Sequence, residues 1–342
     1  MKRILLIGAG HAHLVVLRSL AQKPLYGARI TLVTPYARQV YSGMLPGILA
    51  GHYRRAEAEV DIAALAERSY VELQRGTVQR LDAQGKLAVL SDGSRLGYDY
   101  ASLNAGSLVD AGIPGAEHAL ALKPFDAFLA KLRLAERVAV VGAGAAGAEI
   151  AMALRHRGAQ VTLYADKPVL SARVSRQLRR RKVDYRPGMP VTALEPGPVV
   201  VAGSAHQDFD LVLLATGAAP LPWLRESALA TDERGFVLVN AMLQSVSHPE
   251  VFALGDCATL RDSPHPKSGL YAVRHGEALS QNLRGVLAGS ALAPYVPQKK
   301  ALALLSCGAR YAIAERGEWS AQGRWVWWWK NRIDRRWVRS FL

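Results

Sequence analysis

Apolar residues gather in short unbroken runs along this chain. RILLI at 3–7, RITLV at 29–33, RVAVV at 137–141, QVTLY at 160–164, LVLL at 211–214 and VFAL at 251–254 each read as an apolar strand. Glycine-rich turns and helix-compatible stretches separate them. KRILLIGAGHAHLVVLRSL followed by ARITLV gives strand, turn, helix over 11–21 and strand. RVAVVGAGAAGAEIAMALRHRGAQVTLYAD repeats the order with an Ala-rich helix and a last strand that ends near Asp166. Two β-turn-α-β units in series predict an α/β chain with two Rossmann-like dinucleotide-binding domains.

The turns carry the chemistry. A helix N-terminus that follows a glycine turn presents backbone N–H groups and partial positive charge to a pyrophosphate. In the second unit Gly142, Gly144 and Gly147 complete a GxGxxG, and Asp166 stands about 20 residues beyond, where a ribose hydroxyl would be met. In the first unit Gly8 permits the tight turn and Gly10 the close approach, but His13 replaces the third glycine. Thr34-Pro35 stands where a ribose-binding acid is expected. Asp166 favours NAD, whereas Lys167 and Arg173 suit a 2′-phosphate, so both nicotinamide cofactors stay open.

With 342 residues the chain has room for two domains with cores of their own. The formal charge of +15 favours anionic partners: dinucleotide phosphates, lipid headgroups or nucleic acid. No zinc-finger spacing or RNP-type aromatic motif accompanies the basic residues, so nucleic acid is not expected. Cys257 and Cys307 lie far apart and outside any CxxC, which suits a reducing compartment and gives no disulfide framework. Lys2 and Arg3 before apolar residues mimic a leader peptide, but Gly8 and Gly10 interrupt the run and a buried first strand is expected. No stretch reaches the roughly 18 apolar residues of a membrane span. A cytoplasmic protein follows, free or on the inner face of the cytoplasmic membrane.

LVLLATGAAP (211–220), VFALGDCA (251–258) and YDYASLNAGS (98–107) add three strand-to-turn motifs. In type and order the chain resembles the pyridine nucleotide–disulfide oxidoreductases, flavoproteins with two dinucleotide-binding domains. The resemblance implies FAD on the first unit and NAD(P)H on the second. Thr216 and Gly217 match the crossing point between domains; Gly255 and Asp256 match the second FAD motif, its aspartate hydrogen-bonding the ribityl chain. Asn104, Ala105 and Gly106 occupy the other crossing segment, with asparagine where alanine is usual. It further implies an FAD domain split into 1–110 and 238–295, an NAD(P)H domain at 111–237, and a C-terminal segment at 296–342.

The family's thiol reductases carry paired cysteines beside the flavin, and this chain has none, so electrons must pass to a quinone, a diffusible acceptor or another protein. YSGMLPGILAGHY (41–53), PKSGLYAVRHGEALSQNL (266–283) and GRWVWWWKNRIDRRW (323–337) are similar to the type II NADH dehydrogenase branch, most of all to the flavoprotein module found fused to selenide, water dikinase. In that branch the stretch holding Pro46 passes the isoalloxazine ring; on local chemistry alone it is equally a surface turn. Lys267 precedes a helix expected from Gly269, Leu270 and Tyr271, whose N-terminus would face the flavin edge. Its alternative is a solvated lysine. Glu149, in the first turn after Gly147, would orient the nicotinamide or relay a proton, or would serve only the helix dipole at about 0.3–1 kcal/mol. His11 and His13 fall in the pyrophosphate turn and lack a third ligand, so no metal is expected.

Six of the seven tryptophans lie in 319–342 among arginines. Trp325, Trp329, Ile333, Trp337 and Phe341 recur every four residues and predict an amphipathic helix. Such a helix suits an anionic membrane surface; packing on the FAD domain or a homodimer interface uses the same aromatics. The leading expectation is an FAD-dependent NAD(P)H oxidoreductase serving a quinone or other acceptor. A sulfide- or selenium-linked enzyme using Cys257 and Cys307, and a flavin redox sensor without turnover, are the alternatives.

Overall fold

A computed structural model describes residues 1–168 and 171–342. Its backbone is organised around two five-stranded parallel sheets. In the first, the strands run in the order Val251–Ala253, Tyr100–Leu103, Lys2–Ile7, Ala28–Thr34, Glu72–Arg75. In the second the order is Leu120–Ala121, Leu211–Leu214, Arg137–Val141, Gln160–Ala165, Asp184–Pro187. The unbroken apolar runs are explained by burial on both faces, as parallel sheets require: Leu6, Leu32 and Phe252 are inaccessible in one core, as are Ala139, Val140 and Leu163 in the other. The expected strands and the first helix are found within a residue of their forecast ends.

Among the described residues eight α-helices connect and cover the sheets: α1 His11–Gln22, α2 Leu45–Leu49, α3 Ile62–Arg68, α4 Phe125–Lys131, α5 Ala145–His156, α6 Ala172–Arg180, α7 Gly269–Ala288 and α8 Arg324–Arg339. The edge strand Val251–Ala253 pairs with Tyr100–Leu103, so the first sheet is completed only after the chain has passed through the second. α7 also returns to the first unit: a Cβ on Gly276 would lie 2.4 Å from the Ala12 carbonyl oxygen, so glycine lets α7 and α1 touch backbone to backbone.

The C-terminal part is more elaborate than a single amphipathic helix. Strands Ala303–Ser306, Ala312–Arg316 and Trp319–Gly323 form an antiparallel sheet that leads into α8. Leu305 and Ile313 enter the second core, whereas Ala314, Val326 and Phe341 enter the first. The four-residue stripe forecast for α8 is corrected: its buried face is Val326, Trp327, Lys330, Asp334 and Val338, while Trp325 and Trp328 are 57% and 53% exposed. The forecast failed because it excluded charged residues from the buried face; Lys330 and Asp334 enter it as an i,i+4 ion pair of 2.7 Å. No helix among the described residues is long and apolar enough to cross a membrane.

Candidate functional site

Both glycine turns are set by backbone crowding. A Cβ on Gly8 would fall 2.5 Å from Ala105 Cα, and one on Gly10 would fall 2.4 Å from Asn104 Oδ1. In the second unit a Cβ on Gly147 would sit 1.8 Å from the Gly142 carbonyl oxygen, whereas Gly144 has open space beside it. Gly142 and Gly147 are therefore glycine for the fold, and Gly144 leaves room for a ligand. The N-cap residue of α5 gives no side-chain hydrogen bond, and the first turn of that helix carries no acid: the expectation that Glu149 stands in it is corrected, because α5 begins at Ala145 and Glu149 falls in the second turn. Its orphan N–H groups and positive end remain for a pyrophosphate. Asp166 and Lys167 are exposed at the end of the adjoining strand.

The first turn departs from expectation in two places. The His13 ring is fully buried beneath the turn, 2.5 Å from the Gly8 carbonyl oxygen and 2.8 Å from Ser102 Oγ. It braces the strand-to-helix corner, and the forecast of a cofactor contact by this side chain is corrected. Burial lowers its pKa to about 4, so the ring is neutral at pH 7. Asn104 is likewise structural: its Oδ1 accepts the N–H groups of Ala12 and His13 at 3.0 and 3.2 Å, and its Nδ2 donates to the Leu254 carbonyl at 3.1 Å. An asparagine replaces alanine here because it caps α1 from another strand. Thr34 is buried at its strand end and accepts weakly from the Tyr36 N–H at 3.4 Å.

His11, by contrast, faces the cleft. Its ring lies 5.5 Å from Tyr41 and 6.3 Å from Trp337, and its Nε2 is 3.3 Å from Ser42 Oγ. A Cβ on Gly269 would come within 3.8 Å of both His11 and Ser42, so the N-terminus of α7, with Leu270 in its first turn, opens onto this same space. Tyr271 is turned elsewhere, stacked 4.0 Å from His265. Asp256 borders the cleft through its Oδ2, which accepts from Lys123 at 2.6 Å and Ser107 at 3.3 Å. Although burial, the largest influence, opposes ionisation, the charge and hydrogen bond of Lys123 with the fields of Lys267 and His11 together hold the Asp256 carboxyl below the usual range. Lys267 donates to the Ala258 carbonyl and to Thr259 Oγ1, and stands 4.1 Å above the Phe236 ring. To reach a flavin edge it would have to leave these partners; burial lowers its pKa to about 8.

A second cluster joins the two units. Glu149 Oε1 accepts the Ser306 N–H at 2.7 Å. Burial, opposed by Lys330, raises its pKa to about 7. Lys330 Nζ donates to the Gly43 carbonyl and to Asp334 Oδ2, both at 2.7 Å, and burial together with the charge of Asp334 raises the pKa of the Tyr41 hydroxyl. Pro46 is buried in α2 just beyond Gly43. Tyr41, Ser306, Lys330 and Asp334 escaped sequence reasoning as site residues; the Lys330–Asp334 spacing was their one visible sign. Thr216 and Gly217 lie at the crossing, where the Asp110 N–H donates to the Gly217 carbonyl at 2.7 Å. Gly106 adopts φ +78° on the matching segment beside Ala105.

The cysteines do not form a pair. Cys257 is buried in the first core with its thiol on the Leu103 and Leu254 carbonyls; Cys307 is buried in the second, where desolvation pushes it up to about 12. Reactive cysteines are exposed and have lowered pKa values, the reverse of both.

A backbone turn at Gly8 and Gly10, a carboxylate at Asp256 and a helix N-terminus at Gly269 fit FAD. The α5 turn fits a second dinucleotide. Comparison with known proteins agrees. The chain is 27% identical over 270 residues to ferroptosis suppressor protein 1 of Xenopus laevis, 71% of each chain. It is 26% identical over 327 residues to the NADH dehydrogenase-like protein YutJ of Bacillus subtilis, 88% of each. It is 30% identical over 281 residues to the ferredoxin–NAD(+) reductase component of the p-cumate 2,3-dioxygenase system of Pseudomonas putida, 76% of this chain and 68% of that one. Among solved structures, sulfide:quinone oxidoreductase from Aquifex aeolicus superposes with a TM-score of 0.83 at 16% identity, covering 100% of this chain and 91% of that one. The model of the pyridine nucleotide-disulphide oxidoreductase family matches residues 2–276, and with both dinucleotide cradles in place the chain belongs to that family.

Proposed function

We propose that this FAD-dependent NAD(P)H oxidoreductase works in two half-reactions whose sites share the cleft between Gly10, Gly144 and Gly269. FAD, when bound, supplies the hydride-accepting and electron-transferring chemistry. The protein's part is to bind, orient and manage charge. Gly8, Gly10 and Gly255 let backbone approach the first dinucleotide, Asp256 offers a carboxylate to its ribityl chain, and the first-turn N–H groups of α7 stabilise negative charge at its ring edge. Gly142, Gly144 and the N-terminus of α5 hold the NAD(P)H pyrophosphate, and Asp166 accepts from its ribose. Glu149 then lies at the nicotinamide side with a pKa of about 7, able to hold or release a proton near neutrality.

The acceptor is a quinone that approaches from the Tyr41–Glu149–Lys330 side, with the outer face of α8 against an anionic membrane surface. The observation that carries the reading is the open space beside Gly144 before the uncapped N-terminus of α5, the helix that also carries Glu149. Anaerobic stopped-flow of the FAD-loaded protein against NADH and NADPH, followed by flavin absorbance, tests the first half-reaction. Rapid bleaching by one nucleotide is expected, and a flavin that stays oxidised with both overturns the proposal. Reoxidation by a short-chain ubiquinone, slowed by Glu149→Gln, tests the second.

A further inference from the structure

A cavity of about 570 Å³ opens on the far end of α5, lined by His52, His156, Arg181, Arg310, Tyr311 and Arg324. Its size is that of a site for an organic ligand, well beyond a bare ion. Three guanidiniums converge there, and among the described residues none of them pairs with a carboxylate. Arg181 is instead over the Tyr311 ring at 5.5 Å and Arg310 over Trp327 at 5.7 Å, while the buried Arg181 Nε has no hydrogen-bond partner. His156 reports the same field: burial and then His52, Arg181 and Arg157 lower its pKa, and no acid opposes them. Arg324 begins α8, whose first turn carries no acid and no side-chain cap, so the dipole of a 16-residue helix adds to the positive charge.

We infer that this cavity binds the phosphate of an anionic lipid headgroup. Guanidiniums fork onto phosphate oxygens, and an uncapped helix N-terminus supplies backbone donors to the same group. The lipid source follows from the neighbours of Arg324 on α8: Trp325, next in the chain, and Trp328, one turn on, are more than half exposed, with apolar rings of the kind that settle at the headgroup level. Clustered arginine without acid matches an anionic surface in charge. The assignment rests on the reading that α8 faces a membrane, and is independent of whether NAD(P)H reduces the flavin.

The test uses FAD-loaded full chain and sedimentation with phosphatidylcholine vesicles, with or without phosphatidylglycerol. The pocket variant is Arg181→Gln/Arg310→Gln/Arg324→Gln. The control is Arg332→Gln/Arg336→Gln/Arg339→Gln, which removes equal charge from the rest of α8. The pocket variant should lose about hundredfold in affinity for anionic vesicles, and the control less than tenfold. Equal losses overturn the site and leave diffuse attraction. Wild-type chain that ignores phosphatidylglycerol overturns both the lipid assignment and the membrane reading. Displacement from vesicles by inorganic phosphate at matched ionic strength, as effective as by excess lipid, overturns the lipid source. Stopped-flow reduction of the same variants reports separately on the oxidoreductase reading and confirms their folding.

Discussion

Replacing Glu149 by glutamine should stabilise the protein at alkaline pH and change it little at acid pH. The carboxyl holds its proton up to about pH 7 in place of an ordinary 4.5, which corresponds to about 3.4 kcal/mol. A carboxyl with a raised folded-state pKa contributes fully below the unfolded value, and that contribution is lost as pH rises through 7. Above pH 8 the wild-type protein carries the whole penalty of an ionised carboxylate in a confined place. Some of the side chain still meets solvent, which reduces the expected cost to about 2–3 kcal/mol. Glutamine keeps the shape and still accepts the Ser306 N–H, so that bond cancels from the comparison. At about 2.1 cal/mol/K per residue, 342 residues convert this into a melting point raised by about 3–4 °C at pH 9. Near pH 5 the folded carboxyl is protonated too, and the gap should close to under about 1 kcal/mol. The assay is differential scanning calorimetry of both proteins, FAD-loaded, at the two pH values. An equal offset at pH 5 and pH 9 would refute the argument, because only a displaced titration makes the difference depend on pH.

Four further outcomes follow from the geometry. Gly147→Ala should abolish NAD(P)H reduction yet leave bound FAD, since the new Cβ would have to move the Gly142 carbonyl from 1.8 Å; flavin content and stopped-flow check it. Asn104→Ala leaves two α1 N–H groups unpaired and the Leu254 carbonyl with only the weak Cys257 thiol, and should cost about 2–4 kcal/mol in urea unfolding with loss of flavin. Lys330→Met leaves Asp334 buried without its counter-ion at a cost of about 3–5 kcal/mol, most of which Lys330→Met/Asp334→Leu should recover, measured as a double-mutant cycle. His13 and His275 stay neutral when folded, at about 4 and 3, and take protons at about 6.5 when unfolded, so between pH 7 and pH 5 they should together remove up to about 4 kcal/mol of stability. Phenylalanine at His275 should flatten half of that slope.

What could be read in the chain alone was local. Unbroken apolar runs and glycine spacing place both parallel sheets and both dinucleotide turns, because strand burial and backbone crowding act within a few residues. The family's motif order anticipated that residues near 251 rejoin the first sheet. Sequence could not show that His13 turns inward, since a histidine after GxG is compatible with either side of the corner. Nor could it show that Asn104 caps α1, a bond between positions 91 and 92 residues apart. The cluster around Glu149 was hidden for the same reason: Tyr41, Glu149, Ser306 and Lys330 come from four separate stretches. The α8 stripe misled because a buried ion pair looks like solvated charge until its surroundings are known.

The Asn104 amide has a consequence for the order of events on the ribosome. The start of α1 is held by Asn104, and Asn104 is held by the Leu254 carbonyl at the end of the edge strand. A nascent chain that has emitted Asn104 therefore waits through 150 more residues for the last member of that bond network. The second unit, contiguous from Leu120 to Leu214, can close while the first is still incomplete. The flavin cradle thus becomes rigid after the second unit can close, although its first glycine, Gly8, precedes that unit in the chain.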